Sequence, residues 1–247
     1  AYGVHGSYEL DPAKPTVGVV FYRAHELSGN TAFVDALCRQ IEEQGANALP
    51  VFCGSLRGDD PGLLDLLEQA DALVATVLAA GGAVASRASA GGEEDSWDVG
   101  ALAALDVPVI QGLCLTTPRA AWEESDGALS PMDAAMQVAI PEFDGRLISV
   151  PFSFKEEGPD GIPVYAADPE RAARVAGIAV RHARLRHVPN DRKRVAIVLS
   201  SYPTKHSRVG NAVGLDTPTS AVRLLRAMAA AGYRLGDDDA FWSDPDS

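Results

Sequence analysis

The feature that most constrains the fold is a regular alternation of short, continuous apolar runs with amphipathic segments. The run Thr16–Tyr22 reads TVGVVFY, which is strand-length, rich in β-branched residues and typical of a strand buried on both faces. Residues 31–44 then repeat apolar side chains at the i, i+3, i+4 spacing of a helix. The further predicted strands are Asn47–Cys53, 71–78, 106–112, 146–154 and 194–200, and the further predicted helices are 60–70, 168–187 and 219–231. This alternation predicts an α/β fold with a doubly wound, mostly parallel sheet and helices on both faces.

The same pattern predicts how the chain is divided. We expect a leader at 1–15, an α/β domain at 16–190, a further unit at 191–236 and an acidic tail at 237–247. The unit at 191–236 contains only one strand and one helix, too little to cover both faces of a parallel sheet. Two interpretations follow. Either the chain is a piece of a longer protein that ends inside a truncated second α/β unit, or the last strand crosses back and completes the first sheet.

Composition excludes several classes of partner. A formal net charge of -13 over 247 residues disfavours binding to nucleic acid or to anionic membranes. No apolar run approaches the roughly 20 residues that a membrane span requires, and the first residues lack the features of a signal peptide. The three cysteines are odd in number and widely spaced, which favours neither a disulfide framework nor a structural zinc site. The sequence therefore predicts a cytoplasmic protein without a membrane span.

The stretch 130–156 concentrates unusual residues. Ser130 is a helix-capping residue, and a helix starting there is expected to end by about Ile140, before Pro141. Glu142 and Asp144 would then lie on a short loop. One interpretation is an acidic loop that faces water, and the other is a site that handles a metal ion or accepts protons.

The loop after the first strand carries a second candidate site. Arg23, His25 and Glu26 follow the C-terminal end of a predicted parallel strand, which is where open α/β sheets bind ligands. A neutral imidazole beside a carboxylate can ligate a metal or relay a proton. The alternative is that His25 is a hydrogen-bonded structural residue and that Glu26 is solvated.

A glycine-rich loop at 202–218 follows the last predicted strand, just as the loop with His25 follows the first one. Its backbone N–H groups could approach an anion. Its polar residues include Lys205, His206, Arg208 and Asn211. The loop is neither a P-loop nor a G-x-G-x-x-G dinucleotide motif, so we do not expect this chain to bind ATP. The common hydrolase and redox signatures are also missing.

Three stretches together resemble one family, the large subunit of the ATP-dependent tetrapyrrole metal chelatases, which is shared by aerobic cobaltochelatase and magnesium chelatase. They read FYRAHELSGNT (21–31), LSPMDAAMQVAIPEFDGRLISVPFSFKE (129–156) and YPTKHSRVGNAVGLDTP (202–218). Their order and spacing also fit, and the resemblance extends over 15–236. The ending GLDTP is similar to the cobalt enzymes rather than to the magnesium enzymes.

The resemblance implies insertion of Co²⁺ into hydrogenobyrinic acid a,c-diamide during cobalamin biosynthesis. It implies that ATP and Mg²⁺ bind to separate AAA+ partner subunits, and that the full subunit is several times longer than this chain, which would be inactive alone. A magnesium chelatase subunit inserting Mg²⁺ into protoporphyrin IX is the near alternative. A non-enzymatic α/β module that binds a small ligand is the distant one.

The resemblance also implies roles for individual residues. Metal insertion needs a base for two pyrrolic protons and ligands that hold and release a cation. Glu142 is the first candidate for both roles and His25 the second, with Glu26 and Asp144 as further metal ligands. The candidates for binding the macrocycle and its carboxylates are Arg23, Lys205, His206, Arg208 and Asn211.

Overall fold

The computed structural model describes residues 1–57, 60–78, 99–199, 210 and 214–236. The chain divides into two compact units, Ala1–Arg184 and Leu185–Ser247. Within the described ranges no helix is both long enough and apolar enough to cross a membrane.

The first unit is built around one seven-stranded sheet. Its strands are β1 (Tyr2–Val4), β2 (Thr16–Tyr22), β3 (Asn47–Cys53), β4 (Ala72–Ala75), β5 (Val109–Leu115), β6 (Leu147–Glu157) and β7 (Pro163–Ala167). Its described helices are α1 (Arg23–Ser28), α2 (Ala32–Glu43), α3 (Pro61–Leu67), α4 (Gly100–Ala104), α5 (Arg119–Glu123), α6 (Pro131–Ala134), α7 (Ile140–Phe143) and α8 (Pro169–Arg186), whose last two residues follow the unit boundary.

The strand order is β1-β3-β2-β4-β5-β6-β7. The five strands from β3 to β6 are parallel to one another, and β1 and β7 close the two edges in the antiparallel direction. The chain passes from β2 to β3 on one side and then returns to β4 on the other side of β2. A switch point, at which the strand order reverses, therefore lies between β2 and β4, and open α/β sheets bind ligands beside such a point.

Helices cover both faces of this sheet, which confirms the predicted fold class. On one face, the buried apolar residues of α2 and α8 pack against β2, β3 and β5. On the other face, α3 and α4 contribute a second cluster that includes Leu63, Leu67 and Leu102. The continuous apolar character of β2 follows from this double covering, because six of its seven residues are buried.

The predicted leader is wrong in part. Residues 2–4 form β1, which pairs with β3 at the edge of the sheet, and the His5 N–H donates to the Pro50 carbonyl. A strand of three residues is too short to show a period of two, so no sequence signal marks it. The predicted turn after β2 likewise contains α1, which ends at Gly29 with the left-handed φ of 69° that glycine adopts readily.

The second unit contains a 3-10 turn at Asn190–Arg192 and helix α9 at Thr217–Ala230. The Asp216 side chain caps α9 by accepting hydrogen bonds from the backbone N–H and the hydroxyl of Thr219. The strand predicted at 194–200 is wrong for its described residues, 194–199, which pair with no strand. Its apolar side chains are exposed instead: Val195 by 56%, Ile197 by 40%, Val198 by 87% and Leu199 by 44%. A strand forms only where another strand completes its hydrogen bonds.

Candidate functional site

A cavity of about 280 Å³ lies at the switch point, where β2, β4 and β5 end. We call it the switch-point cavity; the residues that matter to its chemistry are Tyr22, His25, Thr76, Asp133, Gln137 and Tyr165. The rest of its described lining is mainly apolar and includes Phe33, Met132 and Met136. An apolar cavity with a few polar groups at a switch point has the form of a small-ligand site.

His25 is the polar group that sequence analysis had singled out in this cavity. It lies on α1, directly after β2, and is half-buried. Its ring makes edge contacts with Phe33 and Tyr165, with centroid separations of 5.2 and 5.3 Å. Burial lowers the pKa of His25, so the imidazole is neutral at neutral pH. A neutral imidazole in an apolar wall has a lone pair that can accept a proton or ligate a metal ion.

Glu26, the neighbour of His25, is bound elsewhere. Its carboxylate lies 2.7 Å from Nδ1 of His5, and Nε2 of the same ring lies 3.0 Å from Asp35 on α2. Burial of the His5 ring opposes protonation, but its hydrogen bonds to Asp35 and Glu26 outweigh that effect and raise the pKa of His5. His5 therefore joins the N-terminal segment to α1 and α2, a role that sequence analysis missed because position 5 lies 21 residues from Glu26.

Asp133 is a buried acid at the cavity, in the first turn of the helix that sequence analysis predicted to start at Ser130. Its Oδ1 accepts hydrogen bonds from the backbone N–H and the hydroxyl of Thr116, both at 3.0 Å. Its Oδ2 accepts from the hydroxyls of Ser130 at 3.0 Å and Thr117 at 3.3 Å. Four donors suit an ionised carboxylate, which only accepts, and they occupy its acceptor capacity. Asp133 thus joins α6 to the end of β5.

The local structure around Glu142 and Asp144 differs from the predicted loop. The chain continues from α6 through a π-helical turn, Ala135–Ala139, into α7. Pro141 has no N–H and would crowd the carbonyl four residues earlier in an α-helix, and the wider turn relieves that contact. Gly145, at a φ of 72°, then ends the helix, with its N–H donating to the Glu142 carbonyl.

Glu142 is exposed on α7. It precedes β6, at the edge where the parallel strands begin, whereas His25 follows β2, at the edge where they end. The structure therefore does not bring these two candidates together.

Asp144 is buried, unlike a loop carboxylate. It forms an ion pair with Arg146, with 2.7 Å between Oδ2 and Nη2. Burial lowers the pKa of Arg146, and the nearby Asp144 opposes that effect. The guanidinium of Arg146 also donates to the carbonyls of Val77 and Leu78 and, at 2.7 Å, to the side chain of Gln111.

The remaining candidates are less informative. Arg23 is exposed on α1. Lys205, His206, Arg208 and Asn211 lie outside the described residues. In the part of the chain that the structure describes, no group of three or more histidine, cysteine and acidic residues is arranged to hold a metal ion.

All three cysteines are free, and none is a ready nucleophile. Burial raises the pKa of the Cys38 thiol to about 12 and that of Cys53 to about 11, and burial also raises the pKa of Cys114, which lines the cavity.

Comparison with known proteins gives a consistent result. The family model described as CobN/Magnesium Chelatase matches residues 2–245. The chain is 38% identical to the aerobic cobaltochelatase subunit CobN of Pseudomonas aeruginosa, over 93% of this chain and 18% of that protein. It is 30% identical to a magnesium-chelatase subunit of Rhodobacter capsulatus, over 92% of this chain and 20% of that protein.

A solved structure is also similar. The catalytic subunit of cobaltochelatase from Mycobacterium tuberculosis matches with a TM-score of 0.83 and 59% identity, over 96% of this chain and 20% of that one. This chain thus spans about a fifth of the length of these relatives. The match of the family model over nearly all residues shows that the chain belongs to the CobN/magnesium chelatase family.

Proposed function

We propose that this chain is a segment of the catalytic subunit of a cobaltochelatase, which inserts Co²⁺ into hydrogenobyrinic acid a,c-diamide in cobalamin biosynthesis. ATP hydrolysis with Mg²⁺ takes place on AAA+ partner subunits, and this segment alone does not turn over. The observation that carries the proposal is the neutral His25 imidazole in the switch-point cavity. Sequence identity supports cobalt over magnesium, at 59% and 38% against 29–32%.

His25 acts in this proposal as a proton acceptor for a pyrrolic N–H or as a transient ligand of Co²⁺. Both roles need the unprotonated ring, which burial favours. The cavity, at about 280 Å³, is at the lower end of the range of about 300–1,000 Å³ for pockets that enclose drug-sized ligands. A tetrapyrrole is larger, so an edge or side arm of the macrocycle enters the cavity.

The other acidic candidates are ranked by their contacts. The carboxylates of Glu26 and Asp144 already bind His5 and Arg146, and a metal ion at either carboxylate would compete with that partner. Glu142 is exposed and carries no such cost. We retain Glu142 as a base or metal ligand at the edge of the sheet where the strands begin, acting separately from His25. Arg23 and the loop residues Lys205, His206, Arg208 and Asn211 are proposed to bind macrocycle carboxylates.

An absorbance titration of hydrogenobyrinic acid a,c-diamide with the 247-residue chain tests the proposal. We expect binding that His25→Gln weakens at least about tenfold, since the imidazole contact is lost. His182→Gln on α8 is the matched control, because this part of α8 lies away from the cavity. Arg184, two residues later, donates to the Gln44 carbonyl at the opposite edge of the sheet. Glu142→Gln should retain binding and slow cobalt insertion in the assembled enzyme.

Two outcomes would count against this function. Tighter binding of protoporphyrin IX would favour the magnesium alternative. Absence of binding to either macrocycle would remove the tetrapyrrole role from this chain and leave a small-ligand module as the remaining explanation.

A further inference from the structure

Buried side chains form a directed hydrogen-bond path from Arg146 to the switch-point cavity. Arg146 Nη1 donates to Gln111 Oε1 at 2.7 Å, and Gln111 Nε2 donates to Gln137 Oε1 at 3.3 Å. The three residues are 3%, 0% and 7% exposed, in that order. Arg146 and Gln111 lie within the protein, and Gln137 lines the cavity.

The direction of this path follows from the chemistry of arginine. A guanidinium only donates, so Gln111 must turn its oxygen to Arg146 and its nitrogen to Gln137. Gln137 accepts with its oxygen, and its amide nitrogen is left for the cavity. The orientation of a buried amide is commonly ambiguous, and here the arginine decides it. Within the described part of the chain the Gln137 nitrogen donates no hydrogen bond, so its N–H groups are available to a ligand.

The charges around the cavity determine which kind of hydrogen-bond acceptor a ligand can offer to Gln137. Asp133 already receives four hydrogen bonds and contributes a buried negative charge. No lysine or arginine is found among the described residues that line the cavity, and His25 is neutral. A carboxylate ligand would enter an apolar space beside a like charge and without a counter-ion, which is unfavourable. An uncharged carbonyl group meets neither penalty.

We propose that the switch-point cavity binds an uncharged carbonyl group on a small apolar body, with the Gln137 amide donating to the carbonyl oxygen. Gln137 is a binding residue, and Arg146 and Gln111 are positioning residues that fix which end of its amide faces the ligand. In a tetrapyrrole chelatase the group is a neutral side arm of the macrocycle, and that identification alone rests on the function proposed above.

The probes that test this inference are phenylacetone and phenylacetate, which share one shape but differ in charge. The chain has three methionines, of which Met132 and Met136 line the cavity and Met228 lies on α9 in the second unit. With ¹³C-methyl methionine, we expect phenylacetone to shift the NMR signals of Met132 and Met136 and to leave that of Met228 unchanged. Its dissociation constant should be at least about tenfold lower than that of phenylacetate.

Variants test the direction of the path. Gln137→Glu removes the donor and should weaken phenylacetone binding by about tenfold or more. Gln111→Glu keeps an acceptor for Arg146 but has no N–H, so Gln137 turns its nitrogen away from the cavity and phenylacetone binding falls similarly. Gln69→Glu, in an exposed turn before β4, is the matched control and should leave binding unchanged. If Gln137→Glu does not fold, Gln137→Leu makes the same test without the charge.

Equal or tighter binding of phenylacetate would overturn the inference, and so would unchanged phenylacetone binding in Gln111→Glu. Phenylacetone binding without macrocycle binding would contradict the proposed function and leave the cavity chemistry intact. If the macrocycle binds and neither His25→Gln nor Gln137→Leu weakens that binding, the macrocycle binds elsewhere. The cavity would then not be its site, whereas the tetrapyrrole function would stand.

Discussion

Asp144 and Arg146 form an ion pair, with 2.7 Å between Oδ2 and Nη2, and both side chains are fully buried. The pair lies where α7 ends and β6 begins, with Gly145 between its members. Arg146 also holds the carbonyls of Val77 and Leu78 after β4. Because Leu78 lines the switch-point cavity, this single guanidinium links the start of β6 to a cavity wall.

Replacement of Arg146 by methionine should destabilise the chain by about 3–5 kcal/mol. The change removes the cation that pairs with the buried Asp144 and the donor to two backbone carbonyls. Urea unfolding measures the difference. Lys14→Met is the control, because its ion pair with Asp11 is longer, at 3.7 Å, and about half exposed; we expect a change within about 0.5 kcal/mol there. A loss of less than about 1 kcal/mol for Arg146→Met would contradict the importance of the buried pair.

Gly145→Ala should destabilise the chain by about 1–2 kcal/mol, since the backbone at this position has a φ of 72°. No atom of the described residues lies within 4 Å of the added Cβ, so the cost is conformational rather than steric. Gly54→Ala also meets open space but without a left-handed φ, and it serves as the control. Equal thermal unfolding midpoints for the two variants would show that the helix end at Gly145 is not under this constraint.

His5 should make stability depend on pH. Its pKa is raised in the folded chain above the ordinary value of 6.5, so its contribution is fully present below about pH 6.5 and is lost as the pH rises through the folded pKa. The free-energy difference between the wild type and His5→Gln should therefore shrink between about pH 6 and pH 8, by less than about 1 kcal/mol for a partly exposed cluster.

His25 should have the opposite effect on how stability depends on pH. Its pKa is lowered by burial, so the folded chain resists protonation and loses stability, relative to His25→Gln, as the pH falls below about 6.5. Profiles of the same sign for His5 and His25 would contradict the assigned environments.

The second unit should bind apolar probes. Residues 195–199 expose four large apolar side chains, and α9 has no buried residue within its described length. Because these exposed side chains lie in the second unit, the chain 1–186 should bind much less of a hydrophobic dye such as ANS than the full chain does. Similar dye fluorescence for both chains would place the exposed apolar surface elsewhere.

Much of the first unit was predictable because the sequence patterns that indicate its strands and helices lie within short segments. The apolar run of β2 and the helical spacing of α2 lie within single segments, and both elements form as expected. The position of His25 was predictable for the same reason, since it directly follows a buried parallel strand. The assigned roles of His25 and Glu142 in catalysis stay predictions.

The contacts that build the cavity were not predictable, because their members are far apart along the chain. His5 meets Glu26 across 21 residues, Arg146 meets Gln111 across 35 and Val77 across 69. Asp133 lies in a helix that was predicted from Ser130, but nothing local indicated that its carboxylate binds Thr116 and Thr117. The prediction of a strand at 194–200 was wrong for a related reason. Whether another strand lies beside a segment depends on the tertiary structure and not on the local sequence.

The sequence by itself thus determined the α/β class, the main strands and helices and the family, since each follows from patterns written within short segments. Only the tertiary structure decided that His25 faces an apolar cavity, that Asp144 is neutralised by Arg146 and that Gln137 lines the cavity while its oxygen accepts from Gln111. Burial and the geometry of hydrogen bonds decide these properties, and both arise only when distant segments pack together.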